Sequence, residues 1–145
     1  MTLHVQKDGT NVDLIPIDGD AVAGTWNFNV NSNQILTGNY INLATHANND
    51  EVTFPLMIGK GTYEVSMIYT TYDNRGKLDI ALDGNIIINQ LDQYSAAIVY
   101  NVIHRESAVV IRHPTRTISF KVNGKNAASS DYYANWSLIS FRRVA

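Results

Sequence analysis

A chain of 145 residues, 45% of them hydrophobic and 17% charged, suits one domain with its own core and excludes both disorder and a second domain. Its formal net charge of -2 offers no basic excess to neutralise a run of phosphates, so nucleic acid is not expected as a partner. The absence of cysteine removes disulfides, thiolate catalysis, zinc-cysteine sites and iron-sulfur clusters together.

No stretch of about a dozen residues keeps apolar positions at i, i+3, i+4 and i+7, so the chain reads as all-β. Short strands are predicted over residues 3–6, 12–17, 25–30, 40–44 and 52–57, with Pro16 and Pro55 marking two of them as edges or bulges. Residues 1–20 read as a peripheral arm or edge strands. Asn supplies about one residue in nine and clusters at 27–33 and at Asn48 and Asn49, where its tolerance of positive φ suits loops. From Gly61 alternation is clean, with Tyr63, Val65, Met67 and Tyr69 on one face of a strand. A turn over Asp73, Asn74, Arg75 and Gly76 leads into residues 77–82, and Asp83-Gly84 is a two-residue hairpin signal before residues 85–89.

After a polar link over residues 90–93, the runs 96–103 and 108–111 are apolar at nearly every position, so both faces require cover. Residues 117–122 return to alternation, Asn123-Gly124 marks a turn, and residues 136–144 supply a closing strand. The prediction is an antiparallel two-sheet jelly-roll β-sandwich of about eight to ten strands spanning residues 1–145. The amino terminus lacks the apolar run of a signal peptide, and no later stretch reaches the roughly 20 apolar residues that span a bilayer, so synthesis in a cytoplasm and no membrane are expected.

Few motifs carry chemistry. Gly59-Lys60-Gly61-Thr62 fails the phosphate-loop pattern, with Phe54 where a glycine is needed and Gly61 where Ser or Thr should follow the lysine. His4, His46, His104 and His113, with Ser107 near the last two, lie in no metalloprotease or nucleophile-elbow frame. Asp50 and Glu51 are neighbours that a strand points to opposite faces. No catalytic residue, metal ligand or cofactor is therefore expected. Asp18, Asp20, Asp79 and Asp83 have the oxygens a calcium loop uses, yet Asp-Gly pairs are also what tight turns require.

Tyr and Trp can stack against sugar faces while Asn, Asp and Arg bind hydroxyls. Tyr72, Asp73, Asn74 and Arg75 form one candidate glycan platform, and Asp131, Tyr132, Tyr133 and Asn135 form another. Tyr and Trp at sheet ends equally serve packing and interfaces. In the run 96–103, strict alternation groups Ile98, Tyr100 and Val102 on one face and Val99 and Ile103 on the other. One of these faces is the candidate subunit interface of a homotrimer, the alternative being cover by an amino-terminal segment such as residues 12–17.

Residues 61–69 followed by 76–85 resemble the "G-T-Y-x-V … L-x-I-x-L-D-G" strand pair of β-sandwich carbohydrate-binding modules. Residues 116–133, closing with Trp136-Ser-Leu-Ile-Ser-Phe141, resemble the last strands of jelly-roll domains in tailed-phage structural proteins of the capsid decoration, head-fibre and tail-fibre types. That second resemblance implies a non-enzymatic bacteriophage protein displayed on the virion surface, trimeric and docked on other virion proteins such as the major capsid protein. It transfers no site residue. The alternative reading is a carbohydrate-binding or receptor-binding module that holds a host-surface glycan.

Overall fold

A computed structural model describes residues 4–5, 11–16, 19–30, 38–43 and 47–145. The predicted strand ends 3, 6, 17 and 44, together with Asp18 and His46, lie outside them. Thirteen strands occur among the described residues: β1 His4–Val5, β2 Val12–Leu14, β3 Asp20–Ala23, β4 Trp26–Val30, β5 Asn39–Leu43, β6 Glu51–Met57, β7 Gly61–Thr71, β8 Gly76–Leu82, β9 Asn85–Asp92, β10 Val99–Ile111, β11 Thr117–Lys125, β12 Asn135–Trp136 and β13 Leu138–Arg143. They form the expected all-β jelly-roll sandwich, and β3 is a strand that sequence reading missed. One sheet runs β1-β6-β11-β8-β9 with β3 also on β6; a second runs β10-β7-β13-β2; a three-stranded ribbon runs β12-β5-β4. The described ladders are antiparallel apart from β1 on β6.

The period-two pattern places the core between the two larger sheets. Val52, Phe54 and Leu56 of β6, Ile118, Phe120 and Val122 of β11, and Leu78 and Ile80 of β8 face Tyr63, Val65 and Met67 of β7 and Ile139 and Phe141 of β13, all buried. Val12 and Leu14 of β2 join that core, and β2 pairs with β13. Pro55 is tolerated inside β6 for a specific reason. Leu56 donates its N–H to Arg116 O, just ahead of β11, at 2.9 Å, so the Pro55 nitrogen faces the other edge of β6. There the β3 ladder has ended at Thr53 and the β1 ladder begins at Leu56.

Three expectations are corrected by bulges. The polar link at 90–93 is largely strand, because Gln90 takes φ 48° and β9 continues through Asp92. Asn123-Gly124 is not a turn between strands: Gly124 takes φ 85°, and the register slips between Val122 and Lys125 while β11 carries on. Residues 99–103 and 108–111 belong to one strand, β10, with 96–98 just before it, bulged where Asn101 (φ 56°) and Ala108 (φ 58°) adopt left-handed backbone. The first of these bulges reverses the predicted faces. Val99 pairs with Thr71 and Val102 with Tyr69, on the core side, whereas Ile103 pairs with Ile68 on the outer side. Ile98 and Tyr100 accordingly share the outer face with Ile103.

Asp83 and Gly84 take φ 47° and 81°, the paired left-handed conformations that a two-residue hairpin turn demands. The Asp83 carboxylate accepts from Thr117 N–H at 2.8 Å, Arg116 N–H at 3.0 Å and the Thr117 hydroxyl at 3.1 Å. It thereby ties the β8–β9 hairpin to the start of β11. Partial burial pushes this carboxyl up, but the two amides, the hydroxyl and the Arg116 charge outweigh that and hold it below its usual range. A depressed folded value means its stabilisation is complete above the unfolded value of about 3.9 and is lost as pH falls through the folded one. Asp83→Asn, which keeps the turn backbone, should cost about 1 kcal/mol at pH 7 after allowance for solvent exposure. Urea denaturation of the variant should also show a flatter loss of stability below about pH 4 than the parent.

Candidate functional site

The two loops singled out by their aromatic and polar residues, 72–75 and 131–135, are adjacent in space. Gly76 N–H donates to Tyr133 O at 2.7 Å, Tyr133 N–H to Asn74 O at 3.1 Å, and Ser130 N–H to Asp73 O at 2.9 Å. The Ser129 hydroxyl donates to Arg75 O at 2.7 Å. Arg75 and Tyr133 form an isolated bridge, with the guanidinium carbon 5.8 Å from the Tyr133 ring centre. Two separate platforms are thus one wall.

That wall borders a hollow of about 220 Å³ lined by Tyr40, Asn42, Thr70, Arg75, Ile98, Tyr100 and Asn135. Tyr40 and Asn42 come from the face of β5 opposite the buried Ile41 and Leu43. Tyr100 and Ile98 come from the β10 edge, 37% and 43% exposed, so their apolar surfaces are open to a ligand. Asn42 Oδ1 accepts from Arg75 Nη1 at 2.8 Å and fixes the guanidinium, whose Nε is buried without a partner. Burial pushes the Arg75 pKa down, opposed by Tyr40, Tyr133, Tyr100 and Asp73 around it. A guanidinium still keeps its charge at neutral pH.

Not every predicted residue faces the hollow. Asn135 lines it but is engaged at both ends of its amide: Oδ1 accepts from Thr70 N–H at 2.8 Å and Nδ2 donates to Thr70 O at 2.7 Å. It acts as the neighbouring strand that β7 lacks beyond β13. Gln93 closes the clamp, Nε2 donating to Asn135 O at 2.8 Å and Oε1 accepting from Asn135 N–H at 3.0 Å. Tyr132 packs against the core, with Lys125 Nζ 4.9 Å from its ring centre. Asp131 Oδ1 accepts from Tyr132 N–H at 2.8 Å, and Tyr72 is tied to the segment after β9 through its N–H on Gln93 O at 3.1 Å. Asp73 is exposed, whereas the Asn74 side-chain oxygen is buried without a partner. Tyr40, Asn42, Thr70 and Gln93 escaped sequence reading. The Tyr40-x-Asn42 alternation was available as a signal, but nothing in it says which loop that face meets.

Two further carboxylates brace turns and bulges. Asp79 accepts from Gln90 N–H and Asn123 Nδ2, both at 2.7 Å, bracing two bulges. Asp92 accepts from Tyr94 N–H at 3.0 Å and Asn126 Nδ2 at 2.8 Å. Among the described residues no three His, Asp or Glu side chains gather as a metal site would require. His104 Nε2 meets Glu106 Oε1 at 2.8 Å along one face of β10. A larger hollow of about 390 Å³ sits at the far end of β8, between Leu82, Ile87, Val110 and Ile111 with Arg112 and His113 beside them. Its one carboxylate, Asp83, is already committed to β11, and no aromatic side chain borders it.

No family model matches the chain, and no curated protein matches it. Solved structures do. A Paenibacillus xanthan lyase superposes on 90% of this chain with a TM-score of 0.70 and 20% identity, and the chain spans only 13% of that enzyme's length. The CBM36-1 domain of a multidomain xylanase from the hindgut metagenome of Trinervitermes trinervoides matches 94% of this chain and 99% of its own, with a TM-score of 0.68 and 15% identity. A carbohydrate-binding module CBM36, solved with calcium and xylotriose, matches 89% and 98%, with a TM-score of 0.62 and 11% identity. What is shared at these identities is the fold, an antiparallel β-sandwich.

The Asn135 clamp makes a structural prediction. Asn135→Ala removes the side-chain partners of the buried Thr70 N–H and C=O, while Gln93 keeps its bonds to the backbone of residue 135, a loss of about 3 kcal/mol at one to a few per group. Chemical denaturation should show that loss, while Asp73→Ala, on an exposed side chain of the same rim, should shift stability by less than about 0.5 kcal/mol.

Proposed function

We propose that this chain is a non-catalytic glycan-binding module whose ligand enters the hollow between β5, β10 and the 72–75 loop. The observation that carries the reading is the convergence of Tyr40 and Tyr100 with Asn42 and Arg75 on one concave surface. Tyrosine faces suit the apolar faces of a pyranose, and a few oriented polar groups fix its hydroxyls. Supporting it, two solved structures that match over nearly their whole length are carbohydrate-binding modules. No nucleophile and general base meet among the described residues to favour catalysis instead. The virion setting and a capsid partner have no counterpart among the structures named here and form no part of this reading.

Self-association is a second reading with its own observation. The edge strand β10 exposes Val99, Ile103 and Val110 at 48%, 51% and 56%. Ile103→Asp should convert any oligomer to monomer in analytical ultracentrifugation, and a monomeric parent at micromolar concentration removes this reading.

The glycan reading is tested by calorimetry against a panel of neutral and acidic polysaccharides that includes xylan, β-1,3-galactan and xanthan. Tyr100→Ala and Tyr40→Ala should each weaken the binding by about tenfold, the loss of one stacking face, with unchanged denaturation midpoints. A parent that binds nothing on the panel, or variants that bind as the parent does, would refute the assignment.

A further inference from the structure

The charge in the hollow indicates which class of glycan it takes, on the premise that the module binds glycans at all. Arg75 is the single charged side chain among the residues that line it. Among the described residues it forms no ion pair: Nη1 is held by the neutral Asn42, the Tyr133 ring lies to one side, and Nε has no partner. Asp73 is the one acid whose charge reaches it at neutral pH, and no hydrogen bond joins the two side chains. A cation withdrawn from water without a counter-charge is unfavourable, and an arriving anion relieves that cost. A neutral sugar does not. The hollow of about 220 Å³ is smaller than the roughly 300–1,000 Å³ of sites for drug-sized ligands, so it suits one sugar unit of a chain.

We propose that the ligand is an acidic glycan, with a uronate unit in the hollow whose carboxylate binds the Arg75 guanidinium while its ring lies between Tyr40 and Tyr100. Asn42 then has a defined part: by occupying Nη1 it orients the guanidinium for the ligand. Carboxylate recognition by a guanidinium is a charge-assisted hydrogen bond, about twice the strength of a neutral one. The preference for the acid therefore comes from charge, and the affinity common to acid and neutral sugar comes from the tyrosines.

The test compares three probes by calorimetry on the whole chain: a xylo-oligosaccharide carrying one glucuronate, the methyl ester of the same compound, and the unsubstituted oligosaccharide. The acid should bind about tenfold more tightly than either neutral probe. That advantage should shrink as salt rises from about 50 to about 500 mM. Arg75→Gln should abolish the difference between the acid and its ester. If the parent binds ester and acid equally, the acidic preference is wrong and the glycan reading stands. If none of the three binds and the polysaccharide panel is also blank, both fall. If Arg75→Gln keeps the preference, the anion is held elsewhere and the assignment to Arg75 is overturned. Should that variant fail to fold, the comparison of acid and ester on the parent still decides the charge preference.

Discussion

Trp136 stacked on Phe120, with ring centres 4.2 Å apart and planes 18° from parallel, is the contact on which both the core and the rim depend. Phe54 meets both rings edge-on, at 5.3 Å from Trp136 and 5.9 Å from Phe120, so three aromatics from β6, β11 and β12 join the first sheet to the three-stranded ribbon. The indole N–H has no partner there. Leaving it unmet costs about 1–3 kcal/mol, whereas burying an aromatic of some 150–250 Å² at about 25 cal/mol per Å² returns roughly 4–6 kcal/mol. Packing wins, and a hydrogen-bonded tryptophan is not required at this position.

The residue before this anchor is Asn135, and the site follows from that adjacency. With Trp136 fixed in the core, the Asn135 side chain is delivered to the end of β7, where it closes on Thr70 while its backbone holds Gln93. The same two residues are β12, which pairs with Asn42 and Ile41 of β5. Leu43 N–H on Ala134 O at 2.8 Å extends that attachment. The β4–β5 ribbon is thus held against the rim by its partner strand, which brings Tyr40 and Asn42 to Arg75. The proposed binding surface is thus positioned by a side chain buried in the scaffold.

Strands with unbroken alternation, β7, β8 and the first half of β11, were legible from sequence because side-chain period and burial agree. The bulges were not. Asn101, Ala108 and Gln90 adopt left-handed backbone without being glycine, and a local pattern carries little trace of that choice. The consequence is large for β10, where the residue inserted at the first bulge moves the side chains as far as the second bulge to the other face and separates Val102 from Ile98 and Tyr100. The candidate site was legible in halves. Composition marked 72–75 and 131–135, but their union rests on bonds between segments more than fifty residues apart, such as Ser129 to Arg75. Tyr40 and Asn42 were invisible as site residues for the same reason.

The polar groups of the chain divide by what they already hold. Asp79, Asp83 and Asp92 each accept two or more hydrogen bonds and fix bulges and turns, so their charge is spent on the backbone around them. Arg75 differs: its backbone is locked by Tyr133 and Ser129, one nitrogen is bound by a neutral amide, and the rest of the guanidinium has no anionic partner. Structural salt bridges do not leave a cation in this state, because a buried charge is tolerated chiefly when it is paired. In a domain that carries a net charge of -2, an unpaired and partly desolvated arginine walled by three tyrosines is an unfavourable local arrangement that the fold maintains at the expense of stability. Such departures from local consistency are expected at functional sites, where the missing partner is the ligand.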